Sequence, residues 1–335
     1  IVKAKKKSDD EAKIEEDAKI LEDTTRQEKV DAITIQLEDE AIAFETKREL
    51  LRERARLLLE DESLNAVERV AVTTNTNNEI QKKALQEFKN FVKILKSKFI
   101  NVVVFKDTKS PKTPDSIFPN NWISFHDNGD VYLYPMFAKN RRLERREDIL
   151  KSLNQFFDIS SVNSLTHYEN DELFLEGTGS MILDRQYNIC YAARSIRTQE
   201  SIVLDFCKKL NYVPVLFNAL QDVNDKRLPI YHTNVMMCIA TDYAVVCLDS
   251  IDDINERNSV INSLNRTNKE IIEISESQAN QFAGNMLQLM GDKLYLVMSK
   301  SAFNCLNNNQ INSIEKYNEI LSVDLDIIEK CGGGS

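Results

Sequence analysis

The sequence predicts an α/β fold preceded by a long N-terminal helical extension. Glycine and proline, the residues that most often mark turns, are both absent before Pro111. Residues 10–63 are rich in Ala, Glu, Lys, Arg and Leu, which are all good helix formers. Beyond Val70, short β-branched runs alternate with amphipathic stretches, a pattern typical of an α/β domain. We therefore assign residues 1–68 to a charged helical extension and residues 69–335 to a folded domain.

An apolar stripe with heptad spacing lies along the extension. One continuous helix over residues 27–61 would be about 50 Å long, which exceeds the length of most globular domains. Such a helix must bury its stripe, and three interpretations stay open: packing on its own domain, docking into a larger protein assembly, or a self-paired coiled coil. The stripe consists of Val30, Leu37, Phe44, Leu51 and Leu58.

The folded domain is predicted to consist of short strands and helices in alternation. Val70–Thr74 is a possible short strand, and Glu79–Lys96 has the apolar periodicity of an amphipathic helix. The β-branched run Ile100–Phe105 predicts a buried strand. The later strands are predicted at 131–134, 180–183, 213–217, 235–239, 244–248 and 294–298, and the later helices at 146–157, 198–210 and 275–282.

Composition excludes several classes of protein. The formal net charge of −10 argues against a nucleic-acid-binding module, which normally presents a basic face. The sequence contains no apolar run of the roughly 18 residues that a transmembrane segment needs. Six widely spaced cysteines without a CxxC motif indicate neither a disulfide framework nor a zinc site. We expect an intracellular, reducing compartment, cytoplasmic or mitochondrial.

Four short segments contain residues that suggest chemistry. Asn120 and Asn121 lie beside a turn proline and the single tryptophan, and Glu176 lies between an apolar run and two glycines. His232, one of three histidines, precedes a predicted strand, and residues 332–334 are all glycine. Each segment also has a purely structural interpretation: an exposed carboxylate at a strand end, a hydrogen-bonded histidine, an aromatic turn, and a flexible linker.

Taken together and in this order, these segments resemble the pentein superfamily, which modifies guanidino and ureido groups, and within it the arginine-deiminase-related citrulline hydrolases. The resemblance covers roughly residues 75–335. It implies a propeller of five ββαβ-type units around a polar pocket, with neither a metal nor an organic cofactor. The matching segments are DSIFPNNWISFH, YPM, NRRLERREDIL, FLEGTGSMILDR, YAARSIRT, YHTNVMM, FAGNML and GGGS.

The resemblance also implies roles for individual residues. Glu176 resembles the carboxylate that accepts the substrate's N–H groups, and His232 resembles the general acid and base. Asn121 stands where many members carry an acid, so an amide there would favour a neutral ureido group such as that of citrulline; Asn120 lies beside it. Arg197 is the first candidate for the substrate's α-carboxylate and Arg194 the second.

The nucleophile that the resemblance implies is a cysteine just after the glycine run, in a segment like GGGS-x-R-C. The sequence stops at Ser335, before that position, and Cys331 precedes the glycines, so we do not accept Cys331 as the nucleophile. Because the first residue is Ile1 and not Met, we expect the chain to be trimmed, and we expect the cysteine just beyond residue 335.

Two functions are compatible with the sequence. The first is a C–N hydrolase of a small guanidino or ureido amino acid, citrulline- or arginine-like. The second is a catalytically inactive pentein-fold subunit that residues 27–61 dock into a large protein complex, with a mitochondrial complex as one option. It is favoured by the long helix and by Val70–Asn78, which match the family's first unit only in part. Reading the gene past Ser335 separates the two.

Overall fold

The structure is a computed structural model that describes residues 66–108, 110–223 and 226–334, with side chains described from residue 79 onward. The chain divides into two compact units, Ile1–Gln86 and Glu87–Ser335. The helix predicted over residues 27–61, with its apolar stripe, lies outside the described residues, so its docking role stays a prediction.

The first described element is a long helix, α1, over Ala66–Ser97. It contains the helix predicted over Glu79–Lys96. The strand predicted over Val70–Thr74 is wrong, because these residues lie inside α1. β-branched residues are only weakly unfavourable in helices, and a strand gains stability only from a partner strand. From Glu87 onward, the apolar side of α1 packs Leu95 into a small core with residues of the last sheet.

Four three-stranded sheets of the same design follow among the described residues. In each, the middle strand pairs antiparallel with the first strand and parallel with the third. At least one helix connects the second strand to the third, as a parallel connection requires. The strands are β1 Ile123–Phe125, β2 Asp130–Leu133 and β3 Ser161–Ser164; β4 Ile182–Asp184, β5 Ile189–Ala193 and β6 Val213–Phe217; β9 Met237–Ile239, β10 Tyr243–Val246 and β11 Glu270–Glu273; β12 Leu287–Met290, β13 Leu294–Ser299 and β14 Glu319–Val323.

The helices and one hairpin complete the described fold. A two-stranded hairpin lies between the second and third sheets, formed by β7 Leu220–Val223 and β8 Lys226–Pro229. Among the described residues, no helix is long and apolar enough to cross a membrane. The helices after α1 are α2 Glu147–Leu153, α3 Gly177–Ser180, α4 Glu200–Leu210, α5 Ile254–Arg266, α6 Glu276–Ala279, α7 Lys300–Cys305, α8 Asn308–Glu315 and α9 Asp326–Gly332.

The predicted mixed α/β class is confirmed, and the strand predicted over Val213–Phe217 has the predicted bounds. The strand predicted over Ile100–Phe105 is wrong: no strand forms there, although Ile100 is buried against Tyr295 and Leu95. A β-branched run becomes a strand only where a ladder partner exists, and the described residues supply none for this run. The described residues form four three-stranded sheets, whereas the resemblance implies five units. The five-unit propeller therefore stays a prediction.

Three of the four sheets begin directly after one of the unusual segments. A turn over Pro119–Asn121 precedes β1, helix α3 precedes β4, and a turn over Thr233–Val235 precedes β9. The backbone that enters each first strand therefore carries the polar residues of that segment. This repeated arrangement brings residues that are distant in the sequence to one place.

Candidate functional site

A buried carboxylate and a buried imidazole form the centre of the candidate site. Glu176 immediately precedes α3, and His232 immediately precedes the turn over Thr233–Val235. The Nε2 atom of His232 lies 2.7 Å from Oε2 of Glu176. His232 is 5% exposed and Glu176 is 0% exposed, so bulk water does not weaken their interaction.

Asn121 reaches the same place because two glycines leave room for it. A Cβ atom on Gly179 would lie 2.4 Å from Oδ1 of Asn121 and 3.3 Å from Nδ1 of His232. Those two polar atoms therefore both lie close to Gly179, where a side chain would not fit. Gly177 has a φ of +46°, and a Cβ atom there would lie 2.2 Å from the backbone oxygen of Asn120. Thus Asn121 contributes its side chain to the site, whereas Asn120 contributes a backbone carbonyl to the packing of the loops.

Arg197 binds Glu176 directly. Its Nη1 atom lies 3.3 Å from Oε2 of the carboxylate. Its guanidinium carbon lies 5.6 Å from the centre of the Phe137 ring and 5.4 Å from that of Tyr231, distances at which cations and aromatic rings attract. The resemblance made Arg197 the first candidate for the substrate's α-carboxylate and did not predict that it would bind Glu176.

Arg194 has other partners. Its Nε atom donates to Glu200 at 2.6 Å and its Nη1 atom donates to Glu256 at 3.0 Å. Two of the bonding directions of its guanidinium are therefore occupied by carboxylates of α4 and α5. Of the two arginine candidates, Arg197 is the one that the structure brings to Glu176.

The charges around Glu176 keep it ionised. Burial alone raises the pKa of a carboxyl group, but two features outweigh it: the hydrogen bond from His232, and the positive charges of Arg197 and Arg141. The pKa of Glu176 falls from 4.5 to about 2. Arg141 is itself buried and binds Glu144 through Nε and Nη2, both at 2.9 Å.

His232 is neutral at neutral pH. Burial, which disfavours the imidazolium ion, lowers its pKa, and the charges of Arg197 and Arg141 act in the same direction, against the raising effect of Glu176. A carboxylate can only accept a hydrogen bond, so the neutral ring donates from Nε2 and keeps its lone pair on Nδ1. That nitrogen, like Oδ1 of Asn121, lies close to Gly179.

Several supporting residues were not predicted from the sequence. The backbone N–H of Phe137 donates to Oε1 of Glu176 at 3.1 Å. The hydroxyl of Ser180 accepts from the backbone N–H of Glu176 and donates to the backbone oxygen of Arg197, at 3.1 and 2.7 Å. The hydroxyl of Thr233 donates to the backbone oxygen of Ser180 at 2.6 Å and so ties the two segments together. The only signal available was the position of these hydroxyls beside Glu176 and His232 in the unusual motifs.

The C-terminal glycine run, residues 332–334, contacts two residues of the site segments, Phe118 and Tyr231. Gly332 and Gly334 pack on the ring of Phe118, and Gly333 accepts a hydrogen bond from Tyr231. Ser335 lies outside the described residues. In the described part of the chain, no group of three or more His, Cys, Asp or Glu residues is arranged to hold a metal ion.

Comparison with known proteins places this site in context. The family model for eukaryotic N,N dimethylarginine dimethylhydrolase matches residues 55–335. A search of curated proteins found no match. The apo structure of ArgZ, an arginine dihydrolase from cyanobacteria, is 19% identical with a TM-score of 0.58, over 75% of this chain and 34% of ArgZ. The chain therefore spans about a third of full-length ArgZ.

Two further structures are similar over most of their own length. The N-terminal domain of ArgZ, a cysteine-to-serine variant bound to substrate, is 21% identical with a TM-score of 0.58, over 75% of this chain and 83% of that domain. DDAH from Pseudomonas aeruginosa, a cysteine-to-serine variant complexed with citrulline, is 15% identical with a TM-score of 0.52, over 76% and 86%. At these identities the likeness concerns the fold.

Proposed function

The chain belongs to the eukaryotic N,N-dimethylarginine dimethylhydrolase family, and from that premise we propose that it is a C–N hydrolase of a small guanidino or ureido amino acid, citrulline- or arginine-like. The observation that carries the proposal is the buried pair of Glu176 and His232. A carboxylate orients the N–H groups of a planar substrate, and a neutral imidazole moves protons near pH 7. An inactive structural subunit, the alternative function, has no need of such a pair.

Glu176 has one acceptor position left for a substrate N–H group. A carboxylate offers about four acceptor positions, and three donors already use them in the structure: the N–H of Phe137, Nε2 of His232, and Nη1 of Arg197. While Arg197 stays in place, Glu176 accepts a single bond from the substrate. We assign the other N–H group of the substrate to Oδ1 of Asn121, which lies close to Gly179.

The proposed reaction uses a cysteine just beyond residue 335. The thiol gives its proton to Nδ1 of His232, and the resulting thiolate attacks the central carbon of the substrate. Ammonia leaves with the proton of the imidazolium ion, whose charge Glu176 stabilises. Water then gives a proton to His232 and attacks the same carbon, so that the carbon–sulfur bond breaks and the thiolate is regenerated.

The charges at the site favour a neutral ureido group over a guanidinium ion. The negative charge of Glu176 is balanced by Arg197, and that of Glu144 by Arg141. The imidazole and the amide of Asn121 are neutral. A citrulline-like substrate adds no charge to this buried arrangement, whereas an arginine-like substrate adds one positive charge that lacks a partner.

Arg197 is proposed to bind the α-carboxylate of the substrate as well. A guanidinium group has five N–H donors, and Arg197 uses one of them on Glu176. The remaining donors include a pair with the geometry of a carboxylate. Arg194 is the weaker candidate, because Glu200 and Glu256 already bind it.

The repeated design of the fold supports a cysteine at the proposed position. In three of the described units, a segment with site residues directly precedes the first strand. The glycine run after α9 has the corresponding position at the start of a fifth unit, and Tyr231, the neighbour of His232, binds it. A residue shortly after the run would thus enter the site, and five such units would form the propeller implied by the resemblance.

The extension and the location are separate proposals. We propose that the apolar stripe of residues 27–61 docks on a partner protein, because five large apolar side chains at heptad spacing favour a helical partner surface.

The six cysteines are all free, which fits a reducing compartment, cytoplasmic or mitochondrial.

Ammonia release tests the proposed activity. The full-length protein is incubated with L-citrulline and, separately, with L-arginine. We expect ammonia from at least one, faster from citrulline, and a loss of about 100-fold or more in His232→Gln, as for removal of a general acid and base. The matched control is His167→Gln, which changes an exposed histidine. Wild-type protein that is folded but releases ammonia from neither compound contradicts the proposal.

A further inference from the structure

The C-terminal glycine run is held by two aromatic residues that belong to different site segments. We propose that Phe118 and Tyr231 form a cradle that positions residues 332–334 against the site, and that both act as positioning residues for the reaction. Phe118 belongs to the segment that carries Asn121, and Tyr231 directly precedes His232. The catalytic consequence rests on the proposed function, whereas the structural consequence does not.

The ring of Phe118 admits only a bare backbone. A Cβ atom on Gly332 would lie 2.7 Å from Cε2 and Cζ of Phe118, and one on Gly334 would lie 2.9 Å from Cε1. Real Cβ atoms do not approach carbon so closely, so a side chain at either position would force the ring to move. Phe118 is held in turn, because its backbone oxygen accepts from Nη2 of Arg141 and from the N–H of Asn121, both at 3.3 Å.

Tyr231 fixes the middle of the run. Its hydroxyl donates to the backbone oxygen of Gly333 at 2.7 Å. Gly333 has a φ of +70°, a left-handed conformation that glycine adopts without strain. The ring of Tyr231 also lies 4.8 Å from that of His232 and 5.4 Å from the guanidinium carbon of Arg197. One side chain therefore contacts the glycine run, the proposed base and the proposed substrate-binding arginine.

This arrangement determines where the next residues enter the site. A nucleophile must stand about 3–3.5 Å from the carbon it attacks, and a displacement of 1 Å can lower the rate about 100-fold. The cradle holds the last described residues through two contacts, one with Phe118 and one with Tyr231. Loss of the contact with Phe118 should therefore lower kcat and leave KM nearly unchanged, because Glu176, Asn121 and Arg197, which we assign to substrate binding, remain.

Amide hydrogen exchange, measured on the chain of residues 1–335, tests the cradle and does not require the protein to be active. In Tyr231→Phe, we expect the amides of residues 329–334 to exchange about fivefold faster than in wild type, since one hydrogen bond of ordinary strength is lost. The matched control is Tyr243→Phe, which removes the hydroxyl that donates to Asn318 at 2.8 Å in the third sheet. In the control, exchange over residues 329–334 should stay at the wild-type rate. Unchanged exchange in Tyr231→Phe overturns the cradle.

A double-mutant cycle tests the contact with Phe118. Gly334→Ala should lower kcat at least tenfold with little change in KM, and adding Phe118→Leu should restore part of the loss, because the smaller side chain makes room for the methyl group. Independent, additive effects in the full-length protein overturn the contact. Faster exchange in Tyr231→Phe in a protein without hydrolase activity supports the cradle and contradicts the proposed function, so the two can fail separately.

Discussion

Replacing Glu176 by glutamine removes the central charge of the site and keeps the shape of the side chain. In the structure, the carboxylate accepts from the backbone of Phe137, from His232 and from Arg197, at 3.1, 2.7 and 3.3 Å. Glutamine presents one oxygen and one NH₂ group in the same space. At least one of the three donors then faces another donor, and Arg197 loses its counter-charge.

The magnitude follows from the pKa of Glu176. The carboxyl group titrates at about 2 in the folded chain, against an ordinary value of 4.5. A difference of this size corresponds to about 3 kcal/mol of folding free energy at pH 7. Because the folded pKa is the lower one, the stabilisation is complete above pH 4.5 and is lost as the pH falls through 2. About half of it should remain at pH 3.

Urea denaturation of wild type and Glu176→Gln at pH 7 and pH 3 checks this prediction. We expect the variant to be less stable by about 3 kcal/mol at pH 7, and the difference to shrink by about half at pH 3. Glu147→Gln is the matched control, because the Glu147 side chain is 86% exposed and its change should cost less than about 0.5 kcal/mol. Equal stability at pH 7, or a difference that does not depend on pH, refutes the reasoning.

Three further predictions concern other parts of the chain. Gly179→Ala places a methyl group 2.4 Å from Oδ1 of Asn121, so KM should rise about tenfold or more while the fold persists by circular dichroism; an unchanged KM contradicts this. Lys269→Met removes the ammonium group that lies 3.2 Å from the buried carboxylate of Asp184 in β4. The unfolding free energy measured in urea should fall by about 3–5 kcal/mol, and a loss below about 1 kcal/mol counts against the prediction. Changing Phe44 and Leu51 together to serine should release the protein from a partner in size-exclusion chromatography and leave the melting temperature of the domain unchanged; a domain that unfolds would mean that the stripe belongs to the core.

The residues at the centre of the site could be selected from the sequence, but the bonds between them could not. Glu176 and His232 stand in unusual peptides with glycines or a turn beside them, and the resemblance of those peptides to the pentein superfamily suggested a site. The contact of Arg197 with Glu176 depends on the path of its side chain between two aromatic rings. Phe137 is one of them, and it lies far from Arg197 in the sequence. Sequence spacing carries no information about such a path.

The same distinction explains the errors in secondary structure. The strand at Val213–Phe217 was predicted correctly because its apolar residues pair with a neighbour, β5, that the fold supplies. Ile100–Phe105 has an even stronger β-branched composition but no ladder partner among the described residues. Val70–Thr74 lies in a helix for a related reason, since local preference for β structure is too small to decide without a partner strand.

The claim on which the proposed chemistry depends is that Glu176 fixes His232 as a neutral imidazole protonated on Nε2. The chain has three histidines, so ¹⁵N-labelled histidine gives few enough signals to assign by single substitutions. A pH titration by ¹⁵N NMR reports both the pKa and the protonated nitrogen. We predict a ring that is protonated on Nε2 alone at pH 7 and titrates below its usual 6.5, as burial requires. A ring that is protonated on Nδ1, or that is already charged at pH 7, would contradict the account.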